Sequence, residues 1–103
     1  ISSSQGKKKI QKDKIVFFNQ YLVGTLIELS DGNHYLLKEK LSELKQFLNE
    51  KTLFSVSDRK LINMEYLEAV FSDQVVLSNS KVFHINPIRK MALLRRSAEK
   101  AWI

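Results

Sequence analysis

Between Leu53 and Val70 the chain reads LFSVSDRKLINMEYLEAV, with Ser57-Asp58-Arg59-Lys60 set between the apolar pairs Leu53-Phe54 and Leu61-Ile62. A guanidinium, an ammonium and a carboxylate held together can bind phosphate, bond the edges of bases, or pair with one another. A charged knuckle between apolar runs predicts an exposed loop whose two flanks are held in a core. The stretch contains neither Gly nor Pro, so a tight turn in it must be made by Asp58, Asn63 or the serines.

Other chemistries find little to build on. The three glycines, Gly6, Gly24 and Gly32, are too scattered for a phosphate-cradling loop. His34 and His84 lack partners at helical spacing, and each is read as a strand residue rather than a metal ligand. Glu65 and Glu68 form a carboxylate pair on paper, but surface charges near a turn explain them as well. No serine sits in a nucleophile elbow. Neither an enzyme nor a cofactor is expected.

The charge is uneven. The chain of 103 residues carries a formal net charge of +6, and the excess lies in the segments 1–14 and 81–103 around a neutral-to-acidic middle. That distribution suits a polyanion bound at one face; basic tails that only aid solubility are the alternative. Cysteine is absent, which excludes a disulfide scaffold or thiolate metal site. No apolar run approaches membrane-spanning length, so no membrane association is expected and a cytoplasmic protein fits best. The chain begins on Ile1, which is read as the start of a piece of a longer protein.

These side chains must be positioned by short elements. Residues 1–12, opening ISSSQGKKK, are read as a linker or tail, and 13–103 as one domain. Ile15–Phe18 predicts a strand, broken at Asn19-Gln20 from a second strand over Tyr21–Leu29. In that second strand Val23, Thr25, Ile27 and Leu29 share one face, and Leu22 and Leu26 the other. Gly24 inside it signals a bulge or a close backbone approach. Asp31-Gly32 is a hairpin turn leading into His34–Leu37. Leu41, Leu44, Phe47 and Leu48 then recur at helical spacing, with the helix ending near Asn49. Strands at Leu67–Phe71, Val75–Leu77 and Lys81–Ile85 are separated by turns at Ser72-Asp73-Gln74 and Ser78-Asn79-Ser80. Asn86-Pro87 is a strong helix start, Asn as cap and Pro in the first turn. Its inward face is read as Ile88, Met91, Leu93 or Leu94, and Ala98, and Trp102 as closing a core or an interface. The sum is a mainly-β fold: small antiparallel sheets of about seven short strands, one short helix between strands, and a C-terminal helix.

In order and spacing, the segments from Ile15 to about Leu94 resemble the LytTR family of bacterial DNA-binding domains. The likeness is carried by Phe54, Ser57-Asp58-Arg59, Leu61-Ile62-Asn63 and Glu65-Tyr66-Leu67. IVFF, SDG and LSELKQFL precede them in the family's order, and VVLSNSKVFHI follows. The resemblance implies sequence-specific binding of double-stranded DNA, as direct repeats, by the output domain of a bacterial transcriptional regulator. It also implies a receiver domain upstream, as in a two-component response regulator, and a homodimer on DNA. Three segments would enter adjacent major grooves: Asn19–Gly24 with Asn19 and Tyr21, Ser55–Lys60, and Asn86–Lys90 at the start of the last helix.

The departures matter. Family members carry Arg where this chain has Ser55, His where it has Ser57, and Ser where it has Arg59. They commonly have Arg near the position of Pro87, after a Ser where this chain has Asn86. Donors are displaced here to Arg59, Lys60, Arg89 and Lys90. Arg59 and Asn86 are candidate base readers, since Arg pairs bidentately with guanine and Asn with adenine. Asp58 could accept from a cytosine amine or orient Arg59. Lys38 and Lys60 are candidates for phosphate contacts. Asn63 is read as holding its turn through backbone bonds. The rival reading is a protein-interaction module on the same fold whose base-reading residues have drifted, supported by Met91 and Trp102 near an exposed end.

Overall fold

The computed structural model describes residues 2–3, 6–7, 9–48 and 51–97, with backbone only at 2–3, 6–7 and 47. Among these, ten short strands form two antiparallel sheets. The strands are β1 (Ser2–Ser3), β2 (Gly6–Lys7), β3 (Ile15–Tyr21), β4 (Gly24–Leu29), β5 (His34–Leu37), β6 (Leu53–Ser57), β7 (Lys60–Asn63), β8 (Leu67–Val70), β9 (Gln74–Leu77) and β10 (Val82–His84). Helix α1 spans Leu41–Leu44 and runs on into a 3₁₀ turn over Lys45–Phe47; helix α2 spans Pro87–Arg96. The larger sheet has the order β2-β1-β5-β4-β3-β7-β6, the smaller β10-β9-β8. The mainly-β architecture with a closing C-terminal helix is therefore as the sequence predicts. No described helix is long and apolar enough to cross a membrane.

The four apolar residues Ile15–Phe18 are all buried because the larger sheet is covered on both faces. Val16 and Phe17 pack with Val75, Leu77, Phe83 and Ile85 of the second layer and with Leu93 of α2. Ile15 and Phe18 pack on the other side with Leu37, Leu41 and Leu44. Strict alternation would separate Val16 from Phe17. A register shift between Ile15 and Phe17 supplies the extra residue that turns both to one side. The Phe17 and Phe83 rings meet edge to face, centroids 5.0 Å apart at 86°, and join the two layers.

Several expectations are corrected. Asn19 and Gln20 do not break the chain: β3 runs through them to Tyr21, and the reversal falls at Leu22-Val23, with Tyr21 opposite Gly24. Val23 and Leu22 are consequently exposed, whereas Thr25 and Ile27 keep their inward positions. The polar pair extends the strand because both residues have partners there: Asn19 lies opposite Lys60 on β7, and the Gln20 side chain accepts from Leu41 N at 2.9 Å. Gly24 is a close approach, since a Cβ there would lie 2.0 Å from the Leu37 carbonyl oxygen, at a φ of +145°. On α2 only Leu93 and the cap residue Ser97 are buried; Ile88, Met91 and Leu94 face outward. The apolar spacing suggested otherwise, but the half-buried flank of the helix is taken by the stems of Arg89 and Lys90. Asn49, Ala98 and Trp102 lie outside the described residues. In the segment read as a linker, β1 pairs with β2 and with β5, which composition does not register.

Candidate nucleic-acid interface

The charged knuckle is a hairpin. β6 and β7 pair with a register shift between Ser55 and Ser57, and Asp58-Arg59 form the exposed turn between them. Ser57 tightens it by accepting from Arg59 N at 3.3 Å. Its base is fixed by Asn63, which is buried, donates to Ile15 O at 2.9 Å and accepts from Glu65 N at 3.0 Å. Asn63 is thus the structural residue its sequence context predicts.

Two neighbouring segments come to this hairpin. On one side Gln20 N donates to Arg59 O at 2.7 Å, so the β3–β4 turn lies against the Arg59 end of the knuckle. On the other side the α2 residue Arg89 donates through Nη2 to Asp58 Oδ1 at 2.7 Å and through Nη1 to Ser55 O at 3.0 Å. The first turn of α2 is set by Asn86, whose Oδ1 accepts from Arg89 N at 2.8 Å, and by Pro87. The segments Asn19–Gly24, Ser55–Lys60 and Asn86–Lys90 therefore adjoin in series, with Ser55–Lys60 in the middle.

A fourth piece, which the sequence suggested only through Lys38, completes this surface. A shallow hollow of about 280 Å³ is lined by Gln20, Tyr21, Leu22, Val23, Gly24, Lys38, Lys40 and Arg59. Lys38 and Lys40 are delivered there by the approach to α1: Thr25 Oγ1 donates to Glu39 O at 2.8 Å, and Gln20 holds Leu41 N. Three cations so line one hollow beside an exposed two-residue hairpin tip, a local positive field that attracts a polyanion. Lys40 and the apolar tip were not singled out from the sequence. Lys40 carried no signal, and Leu22-Val23 read as strand.

The remaining expected contacts divide. Asn19 Nδ2 donates to Tyr21 Oη at 3.1 Å, orienting the half-exposed ring beside the hollow. Lys60 Nζ sits 5.8 Å from the centroid of Phe83, so its charge is drawn over the second layer. Lys90 Nζ reaches Ser72 O at 3.4 Å, toward the β8–β9 turn. Asp58, read as a group that could accept from a cytosine amine or orient Arg59, pairs with Arg89. Ser55, where the LytTR pattern has Arg, accepts from Lys45 Nζ at 3.1 Å. A larger hollow of about 570 Å³, lined by Ile15, Phe18, Leu53 and Tyr66 among others, shares no residue with this surface.

No family model matches the sequence, and no curated protein matches it significantly. Among solved structures, the chain is similar to a LytTr DNA-binding domain from a Bacillus cereus protein described as a methyl-accepting/DNA response regulator. The match has a TM-score of 0.77 at 11% identity and covers 92% of this chain and 91% of that one. The fold of this chain is that of a LytTr DNA-binding domain.

Proposed function

We propose that this chain binds double-stranded DNA as the output domain of a transcriptional regulator. The observation that carries the reading is the adjacency of three sequence-distant segments, tied by the Gln20–Arg59 and Asp58–Arg89 contacts and flanked by Lys38 and Lys40. Adjoining hairpin turns and the amino end of a helix are a suitable shape for groove entry. In this reading Arg59 and Tyr21 face base edges, Lys38 and Lys40 hold phosphates, and Asn86 and Arg89 act first as scaffold. Lys60, Lys90, Ser57 and Asn19 support these positions. A receiver domain upstream, direct-repeat sites, pairing of two copies on DNA and a bacterial two-component setting belong to the same proposal.

Selection of bound duplexes from a random pool tests it. An enriched motif, weakened at one or two base pairs by Arg59→Ala, supports base reading. Recovery of the pool without enrichment, or no recovery at low salt, refutes it. The exposure of Ile88 and Met91 on α2, at 82% and 57%, favours a second reading as a protein-interaction module. A concentration-dependent dimer that is abolished by Ile88→Ser and binds no duplex would carry that reading instead.

A further inference from the structure

Leu22 and Val23 are the least expected residues at the tip of a two-residue hairpin. Such loops favour Asn, Asp and Gly, whose side chains or backbones accept the required geometry, while Leu and Val add nothing to turn formation. Yet Leu22 is 102% exposed and Val23 72%, so neither contributes to the core of this chain. Their place is set with care: Gly24, with its missing Cβ, lets the ribbon close on Leu37, and Gln20 locks its root to Arg59 and to the start of α1. Around the apolar tip stand Lys38, Lys40 and Arg59.

An apolar point ringed by cations matches a polyanion that carries apolar groups on its accessible edge. Double-stranded DNA does: phosphates line the groove, and the 5-methyl of thymine projects into the major groove, which is wide enough for a two-stranded ribbon. We infer that the Leu22–Val23 tip reads thymine methyl groups in the major groove while Lys38, Lys40 and Arg59 hold the flanking DNA. This rests on the DNA-binding reading above and adds to it a base identity and a readout without hydrogen bonds. It also supplies a discriminating contact, on the β3–β4 turn, in a chain that has serines at positions 55 and 57 where the LytTR pattern has arginine and histidine. The second occupant that suits an apolar tip among cations is an anionic lipid surface.

Replacement of each thymidine in a bound duplex by deoxyuridine removes only the methyl group. At one or two positions of the site the full chain should bind the uridine duplex about fourfold more weakly per methyl lost, the ratio expected for one buried carbon. Leu22→Ser should bind the thymidine duplex as weakly as the wild type binds the uridine one, and should no longer distinguish the two. Both side chains are exposed, so folding is not in question, and Val82→Ser, at an exposed apolar position on β10 of the smaller sheet, serves as a control that retains the discrimination. Equal affinity of the wild type for all uridine duplexes, with binding intact, overturns the methyl-reading role but not DNA binding. Absence of binding to any duplex overturns both. Binding to vesicles containing phosphatidylserine that Leu22→Ser abolishes, beside uridine-insensitive duplex binding, overturns it in favour of a membrane surface.

Discussion

Asp58 and Arg89 are 31 residues apart in the chain and 2.7 Å apart in space, and their contact is what joins the β6–β7 turn to the first turn of α2. The Asp58 side chain is 95% exposed and that of Arg89 32%, so the pair is a surface bridge with one anchored partner. Arg89 is held twice more, by its own backbone at the Asn86 cap and by the Ser55 carbonyl. The arrangement orients a hairpin against a helix rather than supplying much stability.

Asp58→Ala should therefore lower folding stability by no more than about 1 kcal/mol. Arg89→Ala also removes the charged bond to Ser55 O, and should cost about 1.5–3 kcal/mol. Urea unfolding of both variants checks the order, and equal losses would contradict it.

The same carboxylate stands beside the proposed DNA face, where it repels phosphate. Asp58→Asn should raise affinity for every duplex severalfold without sharpening preference. A lower affinity across all duplexes, measured by titration at one salt concentration, would make Asp58 a contact in its own right.

Asn86 is primarily a helix cap. Asn86→Ala should cost about 1 kcal/mol, while Asn86→Ser, which caps as well, should leave stability nearly unchanged. Urea midpoints separate the two. If Asn86→Ser keeps its stability but abolishes duplex binding, the residue reads a base as well as capping.

Gly24→Ala places a Cβ 2.0 Å from the Leu37 oxygen at a φ of +145°, and both the clash and the strained backbone oppose it. A loss of more than about 1–3 kcal/mol is expected. The clash would also shift the Leu22–Val23 tip, so duplex binding should fall at temperatures where the variant is still folded. Thermal unfolding within half a degree of wild type would show that the approach is not tight.

Much of the architecture is legible in the sequence because turn residues and alternation announce it. The Asp31-Gly32 turn, the one-faced burial of Val75 and Leu77, the Asn86-Pro87 helix start and the bonding role of Asn63 all rest on local chemistry. What is not legible depends on partners far away in the chain. The β3–β4 reversal carries no turn residue, so Leu22-Val23 reads as strand until Gly24 is seen against Leu37. The apolar spacing of α2 points inward with Ile88, Met91 and Leu93 or Leu94, of which the core takes only Leu93, while Arg89 on the same helix is paired with Asp58. Lys40 reaches the candidate face only because Gln20 and Thr25 fix the start of α1, a relation between residues up to 21 apart.

The central claim is that the end bearing Lys38, Lys40 and Arg59 is the surface that meets DNA. The slope of log affinity against log salt, for the wild type and for Lys38→Ala, Lys40→Ala and Arg59→Ala, measures it directly. Lys81→Ala, on the turn between β9 and β10 of the smaller sheet, is the control. The slope should become shallower by about 0.9 for Lys38→Ala and for Lys40→Ala, change less for the base-facing Arg59→Ala, and stay unchanged for the control. A flat wild-type response, or a loss from Lys81→Ala equal to the others, would contradict the assignment.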